Sequence, residues 1–338
     1  MPNNQDYAVI IGIKNYDVLK SLEAPIEDAE SFSEWLKDRE GGDVPKENVK
    51  FIENINNSNQ APYPPILDNI DDALLEIIDQ GQGTGYRRLY FFFSGHGIGV
   101  NWNEVSLCLP KWSESRLNYA MSTNAYLNYF VTSNLFDEVF FFLDCCRTRK
   151  IGVQGLPPAV NWPRQGGKQC RNIMTMHATD YEDVAREGWV DNATGSHITG
   201  YFSKALIEGL KGGATDPLTG NITIDSLHNF VTRRTKELAA AKGHVQNAQL
   251  SLPKTTGNFV IKPSVVTNIN TTINFTKSGV FTLYGPPGIT AKQTGAVTAG
   301  ESWQLELYQG LYMISNDNMT NKELFAVEFS INPFIYEY

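Results

Sequence analysis

The sequence predicts an α/β fold, with a mostly parallel sheet flanked by helices and a small all-β domain after it. Three observations carry this. Short apolar runs alternate with helical patterns over the first two thirds of the chain, the arrangement that builds parallel sheets. Two runs, Leu89–Phe93 (LYFFF) and Val139–Leu143 (VFFFL), have no charged position, as expected for strands covered on both faces. Beyond Pro263 helical periodicity gives way to Thr, Asn and Gly with period-two alternation.

In chain order, Tyr7–Ile13 is apolar and ends in a polar turn, which predicts a buried strand. Pro25 to Asp38 places Ile26, Ala29, Phe32 and Leu36 at helical spacing. Val49–Ile52 is a short strand, and Ile66–Ile78 a helix with Ile70, Leu74 and Ile77 on one face. Leu89–Phe93 is a strand, Ser122–Val131 a helix and Val139–Leu143 a strand. Ile173–Ala178 is a further strand, Tyr201–Leu210 a helix, and Thr223–Ala241 a helix with Asp225 as its expected cap. The all-β part is expected to turn inward Phe281, Leu283 and Gly285, then Trp303, Leu305 and Leu307. A Gln309-Gly310 turn leads to Leu311 and Met313, and Phe325, Val327, Phe329 and Ile331 form a last strand. A sandwich or small barrel over 264–338, following a domain over 1–263, is the expected organisation.

Composition narrows the function classes. Of 338 residues 41% are hydrophobic and 19% charged, which is ordinary for a folded domain. The net charge of -9 and the lack of a basic patch argue against a nucleic-acid partner. The start, Met-Pro-Asn-Asn-Gln-Asp, lacks a signal-peptide pattern and the apolar runs are too short to span a bilayer. A cytoplasmic protein with no membrane partner is therefore expected. The cysteines at 108, 145, 146 and 170 contain no C-x-x-C pair, so free thiols are expected. Tyr284-Gly-Pro-Pro-Gly is followed by no Gly-Lys-Ser/Thr and reads as a turn.

The chemistry sits at two strand ends. LYFFF runs into Ser94-Gly95-His96-Gly97, and VFFFL into Asp144-Cys145-Cys146-Arg147. The carboxyl ends of parallel strands line the ligand crevice, so His96 and Cys146 are expected on one sheet edge. A thiol beside an imidazole is a nucleophile with its proton acceptor, and the same histidine can then protonate a leaving amine. Gly95 and Gly97 are expected to admit substrate backbone. The main-chain N–H groups of Gly97 and Cys146 are candidate donors to an oxyanion.

These motifs resemble the caspase/metacaspase family, whose histidine lies about 50 residues before its cysteine. YAVIIGIKNY resembles the family's first strand, Glu27-Asp28-Ala29 its first helix start, and MHATDYEDVAREG, GYFSKALIEGL and ITIDSLHNFV its later strand and helices. The resemblance covers residues 5–262 and implies a caspase-like fold and a cysteine endopeptidase with His96 and Cys146 as its dyad. It also implies a substrate pocket of Asp28, Ser94 and Asp144, hence cleavage after Arg or Lys, since no arginine marks an acid-binding pocket there. Arg147-Thr148-Arg149 departs from the His-Ser-Gly of metacaspases, and no calcium cluster is placed, so no cofactor is expected. Protein or peptide substrates are the expected partners. The basic 147–171 loop is a candidate for self-cleavage. The C-terminal domain is expected to sense a ligand or protein activator, a signalling nucleotide among them, as in bacterial antiviral defence. Two alternatives stay open: an inactive scaffold of the same fold, and a same-fold protease with Asp or Asn preference.

Overall fold

A computed structural model describes residues 3–54, 61–64, 66–80, 86–150, 152–161, 169–192, 195–216, 220–263, 269–285, 290–308, 310–316, 321–327 and 333–338. The chain divides into two compact units, Met1–Ile207 with Val231–Gly257, and Glu208–Phe230 with Asn258–Tyr338.

The first unit is built from β1 (Asp6–Gly12), α1 (Pro25–Lys37), β2 (Val49–Glu53), α2 (Leu67–Gln80) and β3 (Tyr86–Ser94). These are followed by β4 (Gly97–Asn101), β5 (Glu104–Cys108), β6 (Ala120–Ser122), α3 (Thr123–Thr132), β7 (Phe136–Asp144) and β8 (Asn172–His177). Next come the hairpin β9 (Glu187–Asn192) and β10 (Gly195–Gly200), then α4 (Tyr201–Glu208); the chain then passes through the second unit, with β11 (Ile222–Thr223) and the first part of α5 (Ile224–Ala240), and returns to the first unit with the rest of α5 and β12 (Gln249–Lys254). The main sheet runs β12-β8-β7-β3-β1-β2. All its pairings are parallel except β12 with β8.

The aromatic runs of β3 and β7 explain why this sheet forms. Successive strand residues face opposite ways, and here both faces are covered. Phe92 stacks on Phe32 of α1 at 4.7 Å, and Phe142 lies 5.5 Å from the same ring. On the other face Phe91 stacks on Phe141 at 4.4 Å, with Tyr126 and Phe130 of α3 beside them. The sequence did not signal the small β4-β5-β6 sheet, the β9-β10 hairpin or β12.

Two local expectations are corrected. Thr223, not Asp225, caps α5: its hydroxyl accepts the Ser226 N–H at 3.2 Å while the Ser226 hydroxyl accepts the Thr223 N–H at 2.9 Å. Asp225 lies within the first helical turn, where its charge suits the helix dipole. In the all-β part, Leu311 is exposed and Tyr312 and Ile314 are buried. The inward register there is one residue away from Leu311 and Met313, and a one-residue change moves every side chain to the other face.

The second unit holds β13 (Val260–Lys262), which pairs with β11, and seven further strands. A sheet of β17 (Ser302–Leu307), β14 (Ile269–Asn274) and β20 (Phe334–Glu337) shares a core with a sheet of β16 (Thr290–Val297), β15 (Gly279–Gly285), β18 (Gly310–Asn316) and β19 (Lys322–Val327). Ile273, Phe281, Leu283, Leu307, Ile314 and Val327 lie in that shared core. The arrangement is a sandwich. The expected boundary at 264, and Gln309, Phe329 and Ile331, lie outside the described residues. Among the described residues no helix is long and apolar enough to cross a membrane.

Phe141 is fully buried between both neighbouring strands and α3. Phe141→Ala is expected to cost about 3–5 kcal/mol, read as a fall in the midpoint of denaturant unfolding.

Candidate active site

Strand register assembles the site. β3 and β7 pair in parallel with Ser94 opposite Asp144. Two residues beyond each, His96 and Cys146 leave adjacent strand ends, as expected. Gly97 makes the approach possible: a Cβ there would lie 2.5 Å from Cys145 Sγ and 2.7 Å from the Cys146 carbonyl. Gly95 and Gly97 therefore admit the protein's own groups. Gly95 lies against the Tyr16 hydroxyl and the Phe93 ring, not against open space for substrate.

His96 is held from two sides. Its N–H donates to the Tyr16 hydroxyl at 2.8 Å, and the Tyr16 ring meets the imidazole edge-on at 4.7 Å. His96 Nε2 lies 2.8 Å from the Lys20 carbonyl. A carbonyl only accepts, so Nε2 carries the proton and Nδ1 is the basic nitrogen. Burial lowers the His96 pKa, opposed by the Lys20 carbonyl and the Glu187 charge.

Cys146 is partly exposed, whereas Cys145 is buried. The Cys146 thiol donates to the Ala185 carbonyl at 3.7 Å, a long sulfur bond. Burial pushes this thiol up, with Ala185 and Arg186 acting against the shift. Cys145, fully enclosed, is pushed up far more strongly by burial. Among the described residues no hydrogen bond joins His96 to Cys146, so both groups rest neutral and separately tethered.

Asp28, Ser94 and Asp144, the residues expected to line a substrate pocket, converge. Asp28 is 3% exposed on α1 and Asp144 is 6% exposed at the end of β7. Asp28 accepts from the Thr199 hydroxyl at 2.6 Å, the Gly200 N–H at 3.1 Å and the Ser94 hydroxyl at 3.4 Å. Asp144 accepts from the Ser203 N–H at 3.0 Å and the Ser203 hydroxyl at 2.6 Å, capping α4 from outside. Burial raises the Asp28 pKa well above the usual carboxylate range, and Asp144 adds to the rise. Burial likewise raises Asp144 to about 6, with the Ser203 bonds opposing. The two carboxylates thus lie buried beside each other, next to Gly200. Among the described residues neither makes an ion pair with a lysine or arginine, and no group of three or more His, Cys, Asp or Glu is arranged to hold a metal ion.

Sequence reasoning gave no site role to Tyr16, Lys20, Ala185, Glu187, Thr199, Gly200 and Ser203, although Tyr16, Ala185, Glu187, Gly200 and Ser203 lie in stretches that resemble the family. They act through main-chain groups, common side chains or close approaches, whose partners only the fold supplies. Gly200 is the clearest case: a Cβ there would lie 2.2 Å from Asp144 Oδ2 and 2.9 Å from Asp28 Oδ2. The 147–171 loop is also partly corrected. Arg147 is 3% exposed, with its guanidinium on the Thr179 and Trp102 carbonyls, so it is not presented for cleavage. Arg149 is exposed. Arg164 and Lys168 lie outside the described residues.

Residues 5–260 match the caspase domain family. A probable protease from a Desulfuromonadales bacterium is 30% identical over 152 residues, covering 42% of this chain and 18% of that relative. The chain thus matches less than a fifth of that relative's length. The crystal structure of caspase-1 from Spodoptera frugiperda superposes with a TM-score of 0.45 at 16% identity, covering 76% of this chain and 93% of that one. The structure of pro-sf-caspase-1 gives 0.42 at 14% identity, covering 74% and 88%.

Moving a carboxyl from the usual 3.8 to about 6 penalises its ionised form by about 3 kcal/mol. That stability is present below pH 3.8 and lost as pH rises through about 6. Asp144→Asn is therefore expected to raise the melting temperature at pH 7.5 and to leave it nearly unchanged at pH 3.5, measured by thermal melts. Gly200→Ala is expected to destabilise at both values, because its methyl group displaces a carboxylate oxygen.

Proposed function

The chain belongs to the caspase domain family, and on that premise we propose that it is a cysteine endopeptidase cleaving after arginine or lysine. The observation that carries this reading is the Ser94–Asp144 register, which delivers a thiol, an imidazole and a doubly acidic slot to one sheet edge. The slot's two carboxylates repel each other and carry a desolvation penalty. A substrate guanidinium relieves both at once and matches carboxylate geometry bidentately.

The chemistry follows from the tethers. With the substrate side chain in the slot, its carbonyl carbon faces Cys146 Sγ, and the thiol leaves the Ala185 carbonyl. The sulfur–carbon bond forms as the thiol proton passes to His96 Nδ1, while Nε2 keeps its bond to Lys20. The developing oxyanion is received by the N–H groups of Gly97 and Cys146. His96 then gives its proton to the leaving amine as the carbon–nitrogen bond breaks. Water, deprotonated by His96, hydrolyses the thioester and restores the thiol.

Residues 264–338, whose described strands have their own core, are assigned a regulatory role, as a ligand or partner sensor for the peptidase domain. Deleting residues 264–338 is expected to change activity or its dependence on an activator. Unchanged behaviour removes this role.

Two measurements test the peptidase reading. Cys146→Ala and His96→Ala are each expected to abolish hydrolysis of a fluorogenic Arg-terminated peptide, a fall of at least about a thousandfold. A P1 library showing no cleavage after Arg or Lys, but cleavage after Asp or Asn, overturns the specificity. No hydrolysis at all, with candidate activators added, leaves the scaffold reading. For Arg peptides kcat/KM is expected to rise with pH through about 6, as Asp144 ionises in the free enzyme. The KM for a neutral-P1 control lacks that limb.

A further inference from the structure

One residue past Cys146 the chain buries a cation that no acid neutralises. Arg147 is 3% exposed. Its guanidinium donates to the Thr179 and Trp102 carbonyls, and among the described residues it makes no ion pair. Its Nε is buried with no hydrogen-bond partner, and so is Nδ1 of His177, itself 3% exposed. Burial and the Arg147 charge lower His177 to about 3, so its ring is uncharged. Buried polar atoms nearly always find partners. Two orphans on neighbouring side chains, one of them a cation, mark a place suited to a further polar group.

Both side chains line a cavity of about 400 Å³, together with Trp102, Asp180, Tyr181 and residues 249–251 of β12. That volume is in the range of small-molecule sites. Gln249 stands opposite His177 in the β8-β12 pair, so sheet register sets this wall. Trp102 is 77% exposed, and its ring lies 5.0 Å from that of Tyr181. Two aromatic rings on the rim of a cavity offer a flat ligand a large apolar contact. The guanidinium offers a carboxylate charge-assisted hydrogen bonds. Asp180 adds its own negative charge from the same wall, while its Oδ2 accepts from Asn247 at 3.2 Å. One acid beside one cation favours a ligand of single negative charge over a dianion.

We propose that this cavity binds a small aromatic monocarboxylate, its ring against Trp102 and Tyr181 and its carboxylate at Arg147, and that occupancy alters the reactivity of the Cys146 thiol. The second part follows from the main chain. The Arg147 N–H donates to the Asp183 carbonyl at 2.9 Å, and the Arg147 carbonyl accepts the Glu182 N–H at 3.0 Å. Two residues beyond Asp183, the Ala185 carbonyl holds the Cys146 thiol. Glu182 has a φ of 72°, a left-handed conformation uncommon outside glycine. The segment that brings Asp180 and Tyr181 to the cavity is thus the one that tethers the thiol. The cavity includes neither His96 nor the Asp28–Ser94–Asp144 slot, so the site stands whatever side chain the slot accepts.

The test compares 1-naphthylacetate with 1-naphthylacetamide, which keeps the shape and loses the charge. Both are titrated by calorimetry into the full chain as wild type, Trp102→Ala and Arg147→Met. Met keeps an apolar stem and removes the charge; Ala removes an exposed ring and leaves the Trp102 carbonyl on Arg147. Wild type is expected to bind the acetate about tenfold more tightly than the amide, the margin of a charge-assisted hydrogen bond. Arg147→Met is expected to erase that margin, and Trp102→Ala to weaken both ligands about tenfold. Alkylation of Cys146 by iodoacetamide, followed by peptide mass spectrometry, is expected to change at least about twofold in rate when the acetate saturates wild type. At the same acetate concentration Trp102→Ala is expected to show no change. Equal affinity of wild type for acetate and amide, or undiminished binding by Trp102→Ala, overturns the site. An unchanged alkylation rate at saturation overturns the coupling to Cys146. Should Arg147→Met fail to fold, the acetate-to-amide ratio on wild type and the Trp102→Ala titration decide the matter.

Discussion

The parallel pairing of β3 with β7 governs everything at the site. With Ser94 opposite Asp144, the two strands end level, and the residues beyond them meet at one edge. Because strand side chains alternate faces, a slip of one residue would carry the whole set to the wrong face. The register is locked by the aromatic ladder within the same strands. Phe91 against Phe141 on one face, and Phe92 and Phe142 against Phe32 on the other, admit no other alignment without opening cavities. Core packing and catalytic geometry are thus one constraint, satisfied by neighbouring residues of the same two strands.

The acidic slot works in the opposite direction. Asp28 and Asp144 are buried beside each other and held by hydroxyls and main-chain N–H groups rather than by cations. Hydrogen bonds lower the cost of burying these carboxylates, but burial still dominates both shifts. Burying two carboxylates with no cation beside them costs local stability, as functional sites often do.

The two candidate residues at the strand ends are likewise held by the main chain. His96 and Cys146 are each tied to a main-chain carbonyl, Lys20 and Ala185, and burial shifts each toward its neutral form. These carbonyls belong to two segments that Glu187 fastens to the start of α1.

The sequence by itself determined the parallel sheet, the dyad candidates and the two acids at strand and helix ends. Hydrophobic runs and residue types at strand ends are local signals. The helices were legible for the same reason, but the inward face at Leu311–Ile314 and the α5 cap were not, since neighbouring residues there have similar chemistry. Tertiary structure alone decided what surrounds the site. Thr199 reaches Asp28 across 171 positions and Glu187 reaches Ala24 across 163. No periodicity spans such separations. Gly200 opens a stretch the sequence singled out, but its need appears only where two carboxylates leave no room for a Cβ. Long-range proximity follows from sheet order and hairpin placement, so it chose the partners that hold, charge and shape a pair of residues that the chain itself had already announced.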